Sequence, residues 1–320
     1  MTHADADVLL RELDALWSAA GKQQGAGVLR ACAMTMLVVS GDEDEATETM
    51  AALSREHPSR VVLIRIQPGT PRPAARANVQ CWTPFGGRQQ ICAEQVEMES
   101  SSLGDLLPAI RGVLVADLPV VVWCGDLALA IRGDLRELTT LASKVIIDTA
   151  DAGHAQNAWT LIHALQGGRA AVADLAWTRL TRWRETVQQV FRAQACREKL
   201  DAVERVEIRW AGEGIPTSVA YLAGWLKWLA PRSRIDLERL NTRTPAKGVG
   251  RIRELRLSGA ELDVRLRRPD GVGVAIEIEG LAARALFPRL DTTDLLREEL
   301  SVFGCDEHYE NALARGMQLA

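Results

Sequence analysis

The chain has 320 residues, of which 47% are hydrophobic and 25% charged, a balance typical of a globular protein long enough for two domains. Its 38 Lys and Arg residues and 42 Asp and Glu residues give a formal net charge of -4, without a basic tail or arm. Such a chain has no means of neutralising a phosphate backbone, so nucleic acid is not an expected partner.

The opening stretch MTHADADVLLRELDAL is acidic and amphipathic, unlike a secretory signal, and no apolar run approaches the ~20 residues needed to span a bilayer. We therefore expect a cytoplasmic protein with no membrane partner. Six cysteines without a C-x-x-C pair are too sparse for a disulfide scaffold, and reduced thiols are the default expectation.

Buried strands and amphipathic helices alternate over the first 150 residues. The predicted elements are a helix carrying Leu9 to Trp17, a strand at 34–39, a helix at 42–57, a strand at 61–66, a hairpin of 77–83 and 90–98, a helix at 101–116, and strands at 120–122 and 145–147. This alternation predicts an α/β domain over residues 1–170, with a largely parallel sheet and covering helices.

The pattern changes after about residue 154. It predicts helices at 154–167, 178–199 and 217–230, strands near 203–210, 233–240, 251–258, 262–267 and 272–279, and closing helices at 292–303 and 306–316. Short polar turns between the last four strands favour antiparallel pairing, so we expect a smaller α+β domain over residues 171–320.

The sequence lacks the local motifs of common catalytic and cofactor sites. It contains no G-x-x-x-x-G-K-[ST] loop, H-E-x-x-H helix or G-x-S-x-G elbow. The turn after the first buried strand reads Ser40-Gly41-Asp42-Glu43-Asp44-Glu45, whose acids repel phosphate and suit a helix N-terminus. We expect no cofactor, no metal and no enzymatic activity.

Three stretches of the sequence stand out. They are His57-Pro58-Ser59-Arg60 before VVLIRI, Leu118-Pro119-Val120-Val121-Val122-Trp123 before Cys124-Gly125-Asp126, and DLAWTRLTRWR at 174–184, which is the most specific. Together they resemble the OpcA family of glucose-6-phosphate dehydrogenase assembly proteins. The resemblance implies a non-catalytic assembly factor and allosteric activator that binds glucose-6-phosphate dehydrogenase and supports the oxidative pentose phosphate pathway.

The candidate partner-binding residues lie in these stretches and in the helix after Pro216. They are His57, Arg60, Trp123, Trp177, Arg179, Arg182, Arg184, Tyr221 and Trp225. Each also has a structural interpretation: Pro58 ends a helix, and the two apolar stripes after Pro216 fit burial. The arginines crowd the first turns of a predicted helix, where the dipole disfavours cations, so either a partner's acid or an internal one such as Asp174 is expected to face them.

Counting outward from Gly86-Gly87 in the predicted hairpin places Cys81 opposite Cys92. Opposed cysteines in a hydrogen-bonded pair lie within reach of a disulfide. The two residues are therefore either a possible redox pair or two reduced thiols.

An alternative function is an α/β enzyme or sugar-phosphate-binding protein. It would use a pocket at the carboxyl ends of the parallel strands and bind phosphate through Arg60 and Arg179.

Overall fold

The computed structural model describes residues 2–319 except 25–27, 31, 42, 71, 83–89, 132–134, 167, 193, 242–250, 270 and 303. The chain divides into two compact units, the first formed by residues 1–148 and 164–173 and the second by residues 149–163 and 174–320. The domain boundary expected between residues 170 and 171 stays a prediction. Among the described residues, no helix has both the length and the apolar character that crossing a membrane requires.

Nine described strands form the sheet of the first unit. They are β1 (Thr2–His3), β2 (Val28–Arg30), β3 (Met34–Val39), β4 (Ser59–Ile66), β5 (Ala74–Trp82), β6 (Gln90–Ser100), β7 (Val120–Cys124), β8 (Lys144–Ile147) and β9 (Ala171–Asp174). Their order is β1-β5-β6-β4-β3-β7-β8-β9, and β2 pairs with β6 beside this path.

The centre of this sheet is parallel, which confirms the predicted fold class. Strand β3 pairs in parallel with β4 and β7, β4 with β6, and β7 with β8. Counted from β3, and with the outer strands β1 and β5 set aside, the order is 3-2-1-4-5-6, that of doubly wound dinucleotide-binding sheets. All residues of β3, β7 and β8 are buried, as expected for strands covered on both faces.

The hairpin of β5 and β6 is antiparallel and has the register counted from the sequence, with Cys81 opposite Cys92. Its turn at Phe85-Gly86-Gly87 lies outside the described residues, as does Asp42, one of the predicted helix caps. Strands β1, β2 and β9 are short additions that the sequence pattern did not predict.

Twelve described helices accompany the two sheets. They are α1 (Ala6–Gln24), α2 (Glu43–Leu53), α3 (Leu107–Val113), α4 (Leu127–Ile131), α5 (Leu135–Thr139), α6 (Ala155–Gln166), α7 (Leu175–Thr178), α8 (Thr181–Arg192), α9 (Gln194–Arg197), α10 (Thr217–Leu229), α11 (Thr292–Leu300) and α12 (Glu307–Leu319). A short 3-10 turn covers Leu200–Ala202.

Two predicted helices differ most from their counterparts in the structure. The helix expected at 101–116 is shorter because Pro108 occupies its first turn, a position that suits proline at a helix start. The helix expected at 178–199 is divided into α7, α8 and α9. Its first segment begins early because the Asp174 side chain accepts a hydrogen bond from the Ala176 N–H and acts as the N-cap.

The second unit contains a six-stranded mixed sheet. Its strands are β10 (Arg205–Ala211), β11 (Arg234–Leu240), β12 (Ile252–Gly259), β13 (Leu262–Arg267), β14 (Gly273–Ile278) and β15 (Leu281–Leu286). The order is β11-β10-β12-β13-β14-β15. Strands β10 and β12 to β15 are mutually antiparallel, as expected for this region.

Strand β11 corrects one expectation, since it runs parallel to β10. The reason is its connection: helix α10 carries the chain from β10 to β11, and a helical crossover between neighbouring strands gives parallel pairing. Strand β15 was not predicted. Its sequence LAARAL lacks the β-branched and aromatic residues that mark strands.

One face of this sheet carries ion pairs between neighbouring strands, and we call it the charged face. Its pairs are Arg205 with Asp236, Arg209 with Glu238, Arg256 with Asp263, Arg265 with Glu254, and Arg267 with Glu277. The residues between them, such as Val206, Leu255 and Val264, are completely buried. This alternation gives the sheet one packed and one solvated face.

Candidate functional site

The structure places five of the nine candidate partner-binding side chains in the interior. Arg60, Trp123, Trp177, Tyr221 and Trp225 are each at most 5% exposed. His57, Arg179 and Arg184 are half-buried and Arg182 is exposed. The partner-binding assignment stays a prediction. Because five of these side chains are buried, they can affect a binding surface only by holding its exposed residues in position.

Arg60 has a complete set of internal contacts in the first unit. Its Nε donates to a carboxylate oxygen of Glu94 at 2.5 Å, and its Nη1 donates to the carbonyl oxygen of Val113. The other Glu94 oxygen accepts a hydrogen bond from the Trp17 indole at 2.6 Å. A buried arginine paired in this way positions the start of β4, which is consistent with the structural interpretation of the H-P-S-R stretch.

The segment 174–184 forms the centre of a buried network in the second unit, beginning with Asp174, which is completely buried. Its carboxylate accepts hydrogen bonds from the N–H and the hydroxyl of Thr149, at 3.1 and 2.5 Å, and from the Ala176 N–H at 2.9 Å. The Tyr221 hydroxyl donates to it at 2.8 Å. Four donors on one carboxylate satisfy a group whose burial would otherwise be costly.

Aromatic rings surround this carboxylate. Tyr221 packs edge-on against Trp159 and Trp177, with ring centroids 5.2 and 6.0 Å apart, and its hydroxyl lies 3.3 Å from that of Tyr309. Burial raises the pKa of both tyrosines well above the usual value, and the charge of Asp174 raises the pKa of each further. The Tyr221 hydroxyl therefore keeps its proton and remains a donor.

The same segment holds the two closing helices in place. The Trp177 indole donates to Asp306 at 2.8 Å, and Asp306 also accepts from the first N–H groups of α12. The hydroxyls of Thr178 and Thr181 donate to Glu299 and Glu298 of α11. Thr178 and Thr181 thus tie the segment to α11.

Arg184 is a half-buried arginine of the arginine-rich helix start. Its guanidinium lies 3.8 Å from the centroid of the Trp177 ring and donates to the Thr181 hydroxyl. Burial lowers its pKa, whereas the neighbouring carboxylates Asp306, Glu298 and Glu299 raise it. The acids that face Arg184 are thus internal, and they come from the closing helices rather than from Asp174.

The sequence did not identify this network as a unit. Asp306, Glu298, Glu299 and Tyr309 were visible only as parts of acidic closing helices. The apolar residues at helical spacing along 180–191 are buried: Leu180, Trp183, Val187, Val190 and Phe191.

In the first unit, the turn after β3 occupies the position at which doubly wound sheets bind a dinucleotide pyrophosphate. A carboxylate oxygen of Asp126, which follows β7, lies 2.8 Å from the position that a Cβ on Gly41 would take. The other oxygen caps α4 by accepting from the N–H groups of Ala128 and Leu129. A negative side chain thus stands where phosphate would approach the backbone. The described residues also contain no group of three or more His, Cys, Asp or Glu side chains arranged for a metal ion.

The cysteines differ in environment. Cys81 and Cys92 form a disulfide between the facing strands β5 and β6, so these two residues depart from the expected reduced state. Cys124 is buried, and burial raises the pKa of its thiol to about 12. Cys305 is exposed. A regulatory role for the disulfide stays a prediction.

Brief alkylation of the folded protein at pH 8 is expected to modify Cys305 and spare Cys124. The thiolate is the reactive form, and Cys124 holds its proton at this pH. Peptide mass spectrometry measures the alkylated fraction of each of these two cysteines. Equal labelling of the two residues before unfolding would contradict the buried environment of Cys124.

Reduction of the Cys81–Cys92 disulfide is expected to lower the free energy of unfolding by about 2 kcal/mol, because the bond closes a short loop in the unfolded chain. Urea denaturation with and without reductant measures this change. A Cys81→Ser variant serves as the control, since its stability should not respond to reductant. Identical midpoints for the unmodified protein in both conditions would show that the disulfide does not form.

These features define the class of the protein. It is a two-unit α/β protein with a parallel sheet of the dinucleotide-binding order in the first unit and a mixed sheet in the second. Four acidic residues follow Gly41 in the turn where a dinucleotide-binding protein would carry further glycines. Residues 50–164 match the family described as "Glucose-6-phosphate dehydrogenase subunit N-terminal domain", and residues 170–313 match the corresponding "C-terminal domain". The chain belongs to this family, OpcA, as its sequence motifs indicated.

A relative from Synechocystis sp., named an OxPP cycle protein OpcA, is 25% identical over 158 residues. The match covers 47% of this chain and 33% of the relative, so the chain spans about a third of the relative's length.

Two solved structures show the same fold at low identity. Glucose-6-phosphate 1-dehydrogenase from Mycobacterium avium is 11% identical with a TM-score of 0.52, over 89% of this chain and 90% of that chain. A variant of KijD10, a 3-ketoreductase from Actinomadura kijaniata, is 11% identical with a TM-score of 0.50, over 89% of this chain and 95% of that chain. At this identity the likeness establishes the fold alone.

Proposed function

We propose that the chain is a non-catalytic assembly factor and allosteric activator that binds glucose-6-phosphate dehydrogenase in the cytoplasm and supports the oxidative pentose phosphate pathway. The observation that carries this proposal is the family match, which extends into both units and whose description names a subunit of that enzyme. An activator must bind the active state of its partner more tightly than the inactive state. It needs a surface rather than a catalytic cluster.

The alternative of an α/β enzyme or sugar-phosphate-binding protein has less support. Asp126 stands beside Gly41 at the carboxyl end of β3, where a phosphate would have to approach. Arg60, a phosphate ligand in the alternative function, lies at the amino end of β4 and forms a buried ion pair with Glu94. The alternative therefore loses Arg60 as a phosphate ligand at this edge of the first sheet, whereas Arg179, its other proposed ligand, belongs to the second unit.

The edge strand β15 is the surface we propose for contact with the dehydrogenase. Leu281 and Leu286 are 77% and 74% exposed, although large apolar side chains are usually buried. The strand has a hydrogen-bonded neighbour in β14, and its other edge is open among the described strands of this sheet. An exposed apolar edge strand offers main-chain groups and side chains to a partner, and covering it would remove an aggregation hazard.

The function is tested by adding the purified chain to the dehydrogenase of the same organism. NADP reduction is measured against glucose 6-phosphate concentration, and complex formation by gel filtration. We expect a complex and a lower apparent KM or a higher rate. No complex and no kinetic change would overturn the proposal.

The contact surface is tested with a Leu281→Lys, Leu286→Lys double variant. Both side chains are exposed, so the variant should fold normally, and we expect the affinity for the dehydrogenase to fall roughly tenfold or more as apolar contact is lost. Ala116→Lys, at an exposed position of the first unit, controls for the added charge. If the double variant and the control bind the dehydrogenase equally well, the interface lies elsewhere. That result would not contradict the proposed function.

A further inference from the structure

A cleft at one end of the second sheet carries a concentration of positive charge in a chain whose net charge is -4. It lies where β12 begins, where β13 ends and where the chain leaves β15. The residues lining it include the arginines Arg179, Arg182, Arg251 and Arg268 and the rings of Trp183 and Phe287, and none of its described lining residues is acidic. We call it the arginine cleft.

Two arginines of the cleft, Arg251 and Arg268, differ from those of the charged face, whereas Arg182 pairs with Glu185 at 2.9 Å. On the charged face, each arginine of the five pairs named above faces a carboxylate on the sheet. By contrast, the described contacts of Arg251 and Arg268 are with main-chain carbonyl oxygens, those of Glu213 for Arg251 and of Gly271 and Phe287 for Arg268. Neither forms an ion pair with a carboxylate of the described residues. Their charge is therefore not neutralised by the described part of the chain.

Arg268 is the most informative of these residues because it is only 6% exposed. Its Nε and Nη2 donate to carbonyl oxygens, which fixes the guanidinium near the ring of Phe287, whereas its Nη1 has no acceptor among the described residues. Burial lowers its pKa, and the like charges of Arg253 and Arg289 lower it further. A buried cation among further cations is costly unless an anion joins them.

The apolar part of the cleft is rigid. Trp183 and Phe287 are each 3% exposed, and their rings meet edge to face with centroids 5.1 Å apart. The cleft has a volume of ≈ 50 Å³. It therefore admits a small charged group, and the remainder of a larger ligand would have to lie at its open mouth.

We infer that the arginine cleft binds the phosphate group of a phosphorylated small molecule, such as a sugar monophosphate whose sugar stays in the mouth. Arginine forks match phosphate oxygens in geometry, and a phosphate monoester carries about two negative charges at neutral pH where a carboxylate carries one. A phosphate monoester therefore neutralises more of the positive charge of the arginine cleft than a carboxylate does. This inference goes beyond the proposed function and does not depend on it, because the isolated chain should bind the ligand.

Isothermal titration of the full chain tests the inference, with glucose 6-phosphate, inorganic phosphate, glucose and hexaglutamate as ligands. We expect saturable binding of glucose 6-phosphate and of inorganic phosphate, and none of glucose. Arg251→Gln should weaken phosphate binding roughly tenfold or more, since a charge-assisted hydrogen bond is lost, and Arg251→Glu should abolish it. Arg267→Gln is the matched control, because Arg267 is paired with Glu277 on the charged face, and its affinity should stay unchanged.

Three outcomes would overturn the inference. They are the absence of saturable binding of either phosphate compound at millimolar concentration, equal affinity in Arg251→Glu and the unmodified chain, and tighter binding of hexaglutamate than of phosphate. The last would assign the cleft to an acidic protein segment. Circular dichroism of each variant confirms that the fold is retained.

Discussion

Replacement of Asp174 by alanine is expected to lower the free energy of unfolding by about 3–4 kcal/mol. The side chain is completely buried and accepts hydrogen bonds from the Thr149 and Ala176 N–H groups and from two hydroxyls. Alanine would leave the two buried main-chain donors without this acceptor and remove the N-cap of α7. Losses of this size arise where buried donors are left unsatisfied.

Urea denaturation followed by circular dichroism measures the effect of Asp174→Ala. Hydrogen exchange adds a local readout, since the amides of Thr149 and Ala176 should lose protection first. Tyr221→Phe removes one of the four donors and keeps the ring, so we expect a smaller loss of about 1 kcal/mol. Asp201→Ala, at an exposed position, is the control for removing an aspartate. An Asp174→Ala midpoint equal to that of Asp201→Ala would show that the carboxylate does not stabilise the second unit.

Gly224→Ala is expected to lower the free energy of unfolding by about 3 kcal/mol, because it would separate α10 from α12. A Cβ at this position would lie 2.1 Å from the carbonyl oxygen of Ala312 and 2.5 Å from the nitrogen of Gly316. These are main-chain atoms, so no side-chain rotation can relieve the overlap. The gain of about 1 kcal/mol from the higher helix propensity of alanine is smaller than this cost.

The matched control for Gly224→Ala is Gly273→Ala in β14. A Cβ there meets no atom within 4 Å, so we expect a change within about 0.5 kcal/mol. Thermal and urea denaturation of the two variants measure the difference. If the two alanine variants proved equally stable, the close crossing of α10 and α12 would be wrong.

The predictions that succeeded from the sequence rest on local regularities. Runs such as MTMLVV of β3 and VVVWC of β7 are apolar throughout because both faces of a central parallel strand are covered, and that property is visible without a partner strand. The register of Cys81 with Cys92 was also predictable, since a short hairpin is counted outward from its turn. The family motifs were recognisable for the same reason, since each is a short contiguous stretch of the sequence.

The predictions that failed depend on neighbours distant in sequence. Strand β15 is recognised by its pairing with β14, not by its composition, and the direction of β11 follows from the crossover through α10. The partner-binding assignment of Trp177 stays a prediction, but the burial of this side chain could not be seen from its own segment. In the structure it is internal, because Asp306, 129 residues away, accepts its indole hydrogen bond.

The sequence by itself determined the fold class, the family and the identity of the segment 174–184 as the most specific part of the chain. Only the tertiary structure decided what that segment contacts: Asp174 accepts hydrogen bonds from Thr149 and Tyr221, and Arg184 stacks on the Trp177 ring. The arginine cleft likewise depends on Arg179, Arg251 and Arg268 coming from separate elements. Periodicity reports which side chains are buried, whereas hydrogen bonds and charge clusters depend on which distant elements meet, and that is settled by packing.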